Sequence, residues 1–414
     1  MRAHGTIGAT VPHNSEVADG PVIRLAMICD FLEEGWHSMD LFGDKLVECY
    51  RSSYAAEVDV EQLRPALRAR FSKLPLSSAS AVLWNADRLI NRFCDYPLWL
   101  RKQARRFDLF HIVDHSYGQL GLVLPAERTL VTCHDLDTFR CLLEPALDPR
   151  PKWFRVMAQR SFTGFLRASH VICPSDSTRA QLLQYRLFPA ERISVIHPGA
   201  DPIFFSAPDA TLQQRAVAGI GVAEQTFVLH VGSTIRRKRI DVLLRTFARI
   251  VKDFPKMWLV RVGGPLTVEQ TQLAKQLGIH DKIVQAPPLS KAELAALYQQ
   301  AAILLQTSDA EGFGLPVIEA MACGCPVIAS SLAALREAGG SVAEYCAVAD
   351  IDAWSDTAVK LLHERQGSAV QWGRRRIAAR QHASAFTWAE HAKHTMAIYR
   401  SLWTGAGKPA HSCV

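Results

Sequence analysis

Short runs rich in Val, Ile and Leu alternate with amphipathic stretches along almost the whole chain, the rhythm of parallel strands covered by helices. In the first half these runs predict strands at 22–31, 56–63, 107–115, 128–135, 170–175 and 193–199. Helices are predicted between them at 38–53, about 82–106, 116–124, 149–168 and 177–185. From Pro198 to about Gly221 the period lapses into Pro, Ala, Asp and Gln, which reads as a linker. The rhythm then restarts, with strands at 227–233, 257–264, 282–287, 301–308, 326–330 and 344–350. Helices at 239–254, 267–278, 290–300, 316–323, 351–366 and 369–383 separate them.

One rhythm that starts twice predicts an α/β chain of two doubly wound, Rossmann-like domains. The expected divisions are a flexible tail over 1–20, a first domain over 21–202, a linker over 203–220, a second domain over 221–385 and a last helix over 386–405. A chain of 414 residues exceeds one comfortable core, which agrees with two domains. Sheets of this kind bind ligands at the carboxyl ends of their strands, so two facing sheets form a cleft suited to a large ligand.

Composition adds little. The 47 Lys and Arg against 40 Asp and Glu leave a charge of +7, which mildly favours anionic ligands. The first twenty residues are polar and lack an apolar core, so no signal peptide is expected. No apolar run is long enough for a membrane span. The expected compartment is the cytoplasm, and the ten cysteines then read as reduced thiols, several of them in strands.

The chemistry concentrates in the segment EGFGLPVIEAMACGCPVIAS, residues 311–330. Glu311 follows a strand, Gly312 and Gly314 allow close approach of backbone to a ligand, and Pro316 suits a first helical turn. Gly324 suits the helix stop, and Glu319 is expected in the first turn. The free amides of that helix end form an anion site. A carboxylate on each side can accept hydrogen bonds from hydroxyls of two different sugars. That combination fits a nucleotide-sugar, with its diphosphate on the helix end. Upstream, Arg236, Arg237, Lys238 and Arg239 crowd another helix start after the strand at 227–233. Cations oppose the helix dipole there, and a bound diphosphate would relieve the conflict.

These segments resemble the retaining GT-B glycosyltransferases of family 4. The string 311–330 is similar to that family's segment of two glutamates eight positions apart, VGS…RRKRIDVLLRTFA to its phosphate-binding segment, and FTWAEHAKHTMAIYR to its last helix, which crosses back onto the first domain. The resemblance implies a GT-B fold and transfer of a mannose- or glucose-like hexose from a UDP- or GDP-sugar. The acceptor would be a saccharide or a lipid-linked saccharide, as in cell-surface polysaccharide or glycolipid biosynthesis. It also implies roles: Glu311 on the hexose, Glu319 on the ribose, Lys238 on the diphosphate, and the backbone of Phe313, Gly314 and Leu315 on phosphates and hexose. Where the family often has arginine, this chain has Ser233, and Arg236 or Arg237 is expected to substitute.

In the first domain, the family's Gly-Gly turn is reduced to Gly35, followed by Trp36 and Ser38. Gly35, Trp36 and Ser38 are expected at the cleft as acceptor contacts, and Ser38 also suits a helix N-cap. His134 ends a strand and resembles the histidine near the transferring sugar; Asp114 and His115 end the neighbouring strand. No metal is expected: Asp135-Leu136-Asp137 and Asp350-Ile351-Asp352 superficially match a metal-binding DxD and read as incidental. No cofactor beyond the donor substrate is implied. The basic stretch 64–106, with Trp84 and Trp99, fits either peripheral contact with the inner face of a membrane or a solvated helical face. Nucleic-acid binding is a weaker alternative, since no recognised module is present. Other GT-B chemistry, such as an epimerase or phosphorylase, shares only the architecture.

Overall fold

The computed structural model describes residues 21–73, 80–222 and 225–405; the expected tail at 1–20 lies outside them. All twelve expected strands form, each shorter than its apolar run. The first sheet comprises β1 (Ile23–Ile28), β2 (Val58–Leu63), β3 (Leu109–Ile112), β4 (Thr129–Thr132), β5 (His170–Cys173) and β6 (Ile193–Val195). The second comprises β7 (Phe227–Val231), β8 (Trp258–Val262), β9 (Ile283–Gln285), β10 (Ile303–Gln306), β11 (Val327–Ser330) and β12 (Glu344–Cys346). Every pairing is parallel. The orders are β2-β1-β3-β4-β5-β6 and β12-β11-β10-β7-β8-β9. In each sheet the strand order reverses beside the first strand, which opens a crevice at the carboxyl edge.

The strands are apolar throughout because helices cover both faces of each sheet. In the second domain, Leu229, Leu304 and Val327 face one core while Val228, Ile303 and Ile328 face the other. The last helix, Trp388–Gly405, leaves this domain and packs on the first. Its Trp388, Ala392, Met396 and Tyr399 recur at helical spacing and join the core of Phe42, Leu46 and Tyr50. The Tyr399 hydroxyl lies 2.6 Å from Nδ1 of buried His111. At the crossover the two chain passages touch, with the Ala200 amide donating to the Phe386 carbonyl at 3.0 Å. A Cβ on Gly199 would meet the Trp388 nitrogen at 2.1 Å, so only glycine allows the approach.

Several local expectations change. The stretch read as an aperiodic linker carries a helix, Ala210–Gly219, capped by Asp209. It buries Ala216 and Val217 in the second core. The apolar positions are too few for sequence periodicity to register. Residues 115–122 wind as a 3-10 helix rather than an α-helix, and a short helix at Ala333–Gly339 was not expected. The nine described cysteines are free thiols, seven of them buried. Among the described residues no helix is long and apolar enough to cross a membrane.

Candidate functional site

The loop after β10 and the loop after β7 meet at the cleft. Glu311 has a side chain only 8% exposed, and its Oε1 accepts from Lys238 Nζ at 2.5 Å. The same oxygen accepts from Ser308 Oγ at 2.6 Å and Gln306 Nε2 at 2.8 Å. Arg237 donates to Oε2 at 3.3 Å and to the Ala310 carbonyl at 3.0 Å. Burial alone would raise the Glu311 pKa, but the Lys238 and Arg237 charges and these hydrogen bonds outweigh it and hold it below the usual range. Glu311 is therefore an ionised carboxylate in an almost dry site.

Lys238 closes a 3-10 turn, Arg236–Lys238, ahead of the helix Ile240–Asp253. Its stem lies against Gly232. The four cations that looked alike in sequence separate here. Arg239 adopts φ 47° at the N-cap and pairs with Asp241 at 2.8 Å, which removes it from the cleft. Ser233 and Arg236 are exposed in the loop after β7. Arg237 and Lys238 are the two that reach Glu311.

Arg261 on β8 was not anticipated. It is fully buried, donates to the Gly232 carbonyl at 2.9 Å and has its pKa lowered to about 10 by burial. It sits opposite His230 in the sheet register, and both ring nitrogens of that histidine lack partners. A buried guanidinium thus braces the glycine loop from below. Its only sequence signal was a charge inside an otherwise apolar strand.

The helix after Glu311 runs Leu315–Ala322, with Gly314 at its N-cap at φ 119° and Pro316 in its first turn. Phe313 is buried, with its ring stacked 5.3 Å from His197. Glu319 is the fifth helical residue and so belongs to the second turn, not the first. Its Oε2 accepts from Tyr298 at 3.1 Å. Burial raises its pKa to about 7, against smaller opposing effects from Tyr298 and Lys291. Lys291 is itself paired with Asp201 at 2.8 Å.

In the first domain, His134 meets the second domain through its carbonyl and not its ring. A Cβ on Gly312 would lie 2.0 Å from the His134 oxygen. The imidazole is buried edge-on against Phe42, with Nε2 2.8 Å from the Val113 carbonyl, and burial lowers its pKa. This changes the expected cleft-facing side chain into a backbone contact. Asp114 caps the turn after β3, accepting from the Ser116 amide at 2.8 Å and from its hydroxyl. His115 lies 3.3 Å from Asp114 and 3.7 Å from Asp135. Asp30, unremarked in sequence, is buried at the end of β1; its own burial and the Asp114 charge push its pKa well up.

Gly35 follows a 3-10 turn in the left-handed conformation, φ 70°. Trp36 is 52% exposed and donates to Glu34 at 3.1 Å. The helix begins at His37 with Trp36 at its N-cap, so Ser38 is not the cap; its side chain lies outside the described residues. The two DxD strings have local uses. Asp135 accepts from the Asp137 amide at 3.0 Å, and Asp350 caps the helix Ile351–Gly367.

Five of the ten cations in the basic stretch 64–106 are ion-paired. Arg64 pairs with Asp40 and Asp44, Arg70 with Asp95, Arg88 and Arg92 with Glu34, and Arg106 with Glu61. Trp84 and Trp99 are half-buried. Arg68, Lys73, Arg101, Lys102 and Arg105 are exposed and have no ion pair among the described residues.

Two facing doubly wound sheets, crossed by a C-terminal helix and carrying a cation-ringed glutamate at the cleft, define a GT-B glycosyltransferase. Residues 57–204 match the family Glycosyltransferase Family 4, and residues 217–377 match Glycosyl transferases group 1. D-inositol 3-phosphate glycosyltransferase of Mycobacterium avium is 29% identical over 318 residues, covering 73% of this chain and 72% of the relative. The Mycolicibacterium smegmatis counterpart is 29% identical over 316 residues, with 72% and 69% coverage. Sucrose-phosphate synthase from Thermosynechococcus elongatus superposes with TM-score 0.72 at 21% identity, over 92% of this chain and all of that one. Anabaena HepE in complex with UDP gives 0.66 at 17%, over 92% and 100%. The chain belongs to the family 4 glycosyltransferases.

Proposed function

We propose that this enzyme moves a mannose- or glucose-like hexose from a UDP- or GDP-sugar to a hydroxyl of a saccharide or lipid-linked saccharide, with retention at the anomeric carbon. The observation that carries this reading is the Lys238–Glu311 pair at 2.5 Å, set beside the free amides of the helix Leu315–Ala322. A diphosphate placed on that helix end would lie within reach of Lys238 and Arg237. A hexose beyond it would offer hydroxyls to Glu311.

In the proposed step the bond from the anomeric carbon to the diphosphate oxygen breaks as the acceptor oxygen bonds on the same face. The acceptor proton passes to the departing phosphate oxygen. The protein's share is electrostatic: Lys238, Arg237 and the helix end stabilise the charge that develops on the leaving group. Glu311 is engaged by two cations and two neutral donors, which suits a binding group better than a covalent nucleophile. Metal independence is part of the proposal.

The test is incubation with UDP-, GDP-, ADP- and dTDP-sugars, with and without a chelator, reading nucleotide release and melting temperature. One donor is expected to stabilise the protein and be consumed, and Glu311→Ala to abolish consumption. If no donor shifts the melting and Glu311→Ala changes nothing, the proposal fails.

A further inference from the structure

Beside Glu311 a cavity of about 390 Å³ opens between the domains. Its first-domain wall comes from the loop and turn after β4 and from the helix Asp176–Gln184; its second-domain wall comes from Asp309–Glu311 and Leu332–Ala334. It shares Glu311 with the donor side, so a group bound in it lies next to the hexose that Glu311 is proposed to hold. The glycosyl-transfer reading above puts the acceptor in this cavity.

The cavity wall carries Asp135, Asp137, Glu144 and Asp309 in addition to Glu311. Its cations are Arg140, paired with Glu144, and Arg237, which is bonded to Glu311 and is proposed above to engage the donor diphosphate. Arg140 lies 3.3 Å from Glu144, and Arg237 is held by Glu311 and the Ala310 carbonyl. Asp137 and Asp309 are exposed and have no cation within ion-pair distance among the described residues. Setting Glu311 with Arg237 aside, four carboxylates face one guanidinium. Once the donor diphosphate takes Arg237, a further anionic group entering this space would meet like charges and only the Glu144-paired Arg140.

We infer that the acceptor is a hydroxyl-rich saccharide bearing no phosphate or carboxylate, either neutral or carrying an ammonium group. The inference rests on the glycosyl-transfer reading of the same cleft. It separates this chain from relatives whose name specifies inositol 3-phosphate. The carboxylates serve a sugar well, since each oxygen accepts from a hydroxyl or an ammonium.

The test offers the full-length enzyme and the active donor a mixed pool of glucose, glucosamine, glucose 6-phosphate, myo-inositol and myo-inositol 3-phosphate. Glycosylated products are read by mass. Unphosphorylated acceptors are expected to outcompete their phosphate esters by about ten-fold or more. The double substitution Asp137→Asn with Asp309→Asn, both at exposed positions, is expected to narrow that gap. A phosphorylated acceptor that wins, a gap unchanged in the double variant, or donor hydrolysis with no acceptor product overturns the inference. Failure of the donor reading looks different: no nucleotide shifts the melting temperature and no donor is consumed even by water, and the acceptor inference falls with it.

Discussion

Lys238 and Glu311, 73 positions apart in sequence, form an ion pair at 2.5 Å with side chains only 11% and 8% exposed. Each belongs to a different strand-to-helix loop, so the pair ties the loop after β7 to the loop after β10. Lys238→Met should lower kcat/KM by about 10²-fold or more, since it removes a charge aimed at the leaving group. It should also cost about 2 kcal/mol of stability, because Glu311 keeps Arg237 but loses its nearest cation in a buried setting. Adding Glu311→Gln should recover part of that loss, checked by a double-mutant cycle in urea. Because the Glu311 pKa is depressed, the pair's stabilisation is present above the ordinary carboxylate value and lost as pH falls through its own.

Glu319 behaves in the opposite sense. Its folded pKa is raised to about 7, so the stability it contributes is complete below the ordinary value of 4.5 and lost as pH rises through 7. If Glu319 holds the donor ribose, as the family resemblance implies, its ionised form accepts the ribose hydroxyls better than its protonated form. Nucleotide affinity measured by calorimetry should therefore rise from about pH 6 to about pH 8 in the wild type. Glu319→Gln should bind more weakly and show no such step. A step that survives the substitution assigns the titration elsewhere.

Gly312→Ala should act on domain closure. The added methyl would lie 2.0 Å from the His134 carbonyl, a backbone atom that cannot swing aside. Activity is expected to fall by about 10²-fold, the effect of a misplacement near 1 Å. Nucleotide binding to the second domain should persist. Small-angle scattering should show a wider particle than the wild type.

The neighbouring carboxyls Asp30 and Asp114 should respond differently to amide substitution. Burial and the Asp114 charge push the Asp30 pKa well up, whereas His115, His134 and Ser116 hold Asp114 at about 2 against its burial. Asp30→Asn removes a carboxyl whose charged form is disfavoured there and should change stability by less than about 1 kcal/mol. Asp114→Asn removes an ionised acceptor from its partners and should cost about 2 kcal/mol or more. Thermal melts of the two variants decide the matter.

Removing the Tyr399 hydroxyl tests the crossing helix. Tyr399→Phe leaves Nδ1 of buried His111 without its 2.6 Å partner and should cost about 1–3 kcal/mol in chemical unfolding.

Strand positions were legible because both faces of each sheet are buried, which makes every strand a continuous apolar run. The loop and helix at 311–322 were legible because their glycines, proline and glutamates stand close together in sequence. The helix Ala210–Gly219 escaped notice because it buries only a narrow apolar stripe. The first-domain half of the site was read less well. His134 was expected to present its ring, yet the direction of a side chain at a strand end depends on what packs around it, here Phe42 and Val113.

By itself, the sequence determined two doubly wound domains, their order, and a loop at 311–319 that leads from a strand through two glycines into a short helix, since each follows from local period and turn chemistry. Tertiary structure alone decided which of four adjacent cations reaches Glu311, and that Arg261 braces the glycine loop from a neighbouring strand. It also decided that Asp135, Asp137, Glu144 and Asp309 line one cavity. Those are relations between residues far apart in the chain. They depend on strand order and domain closure, which no local pattern encodes.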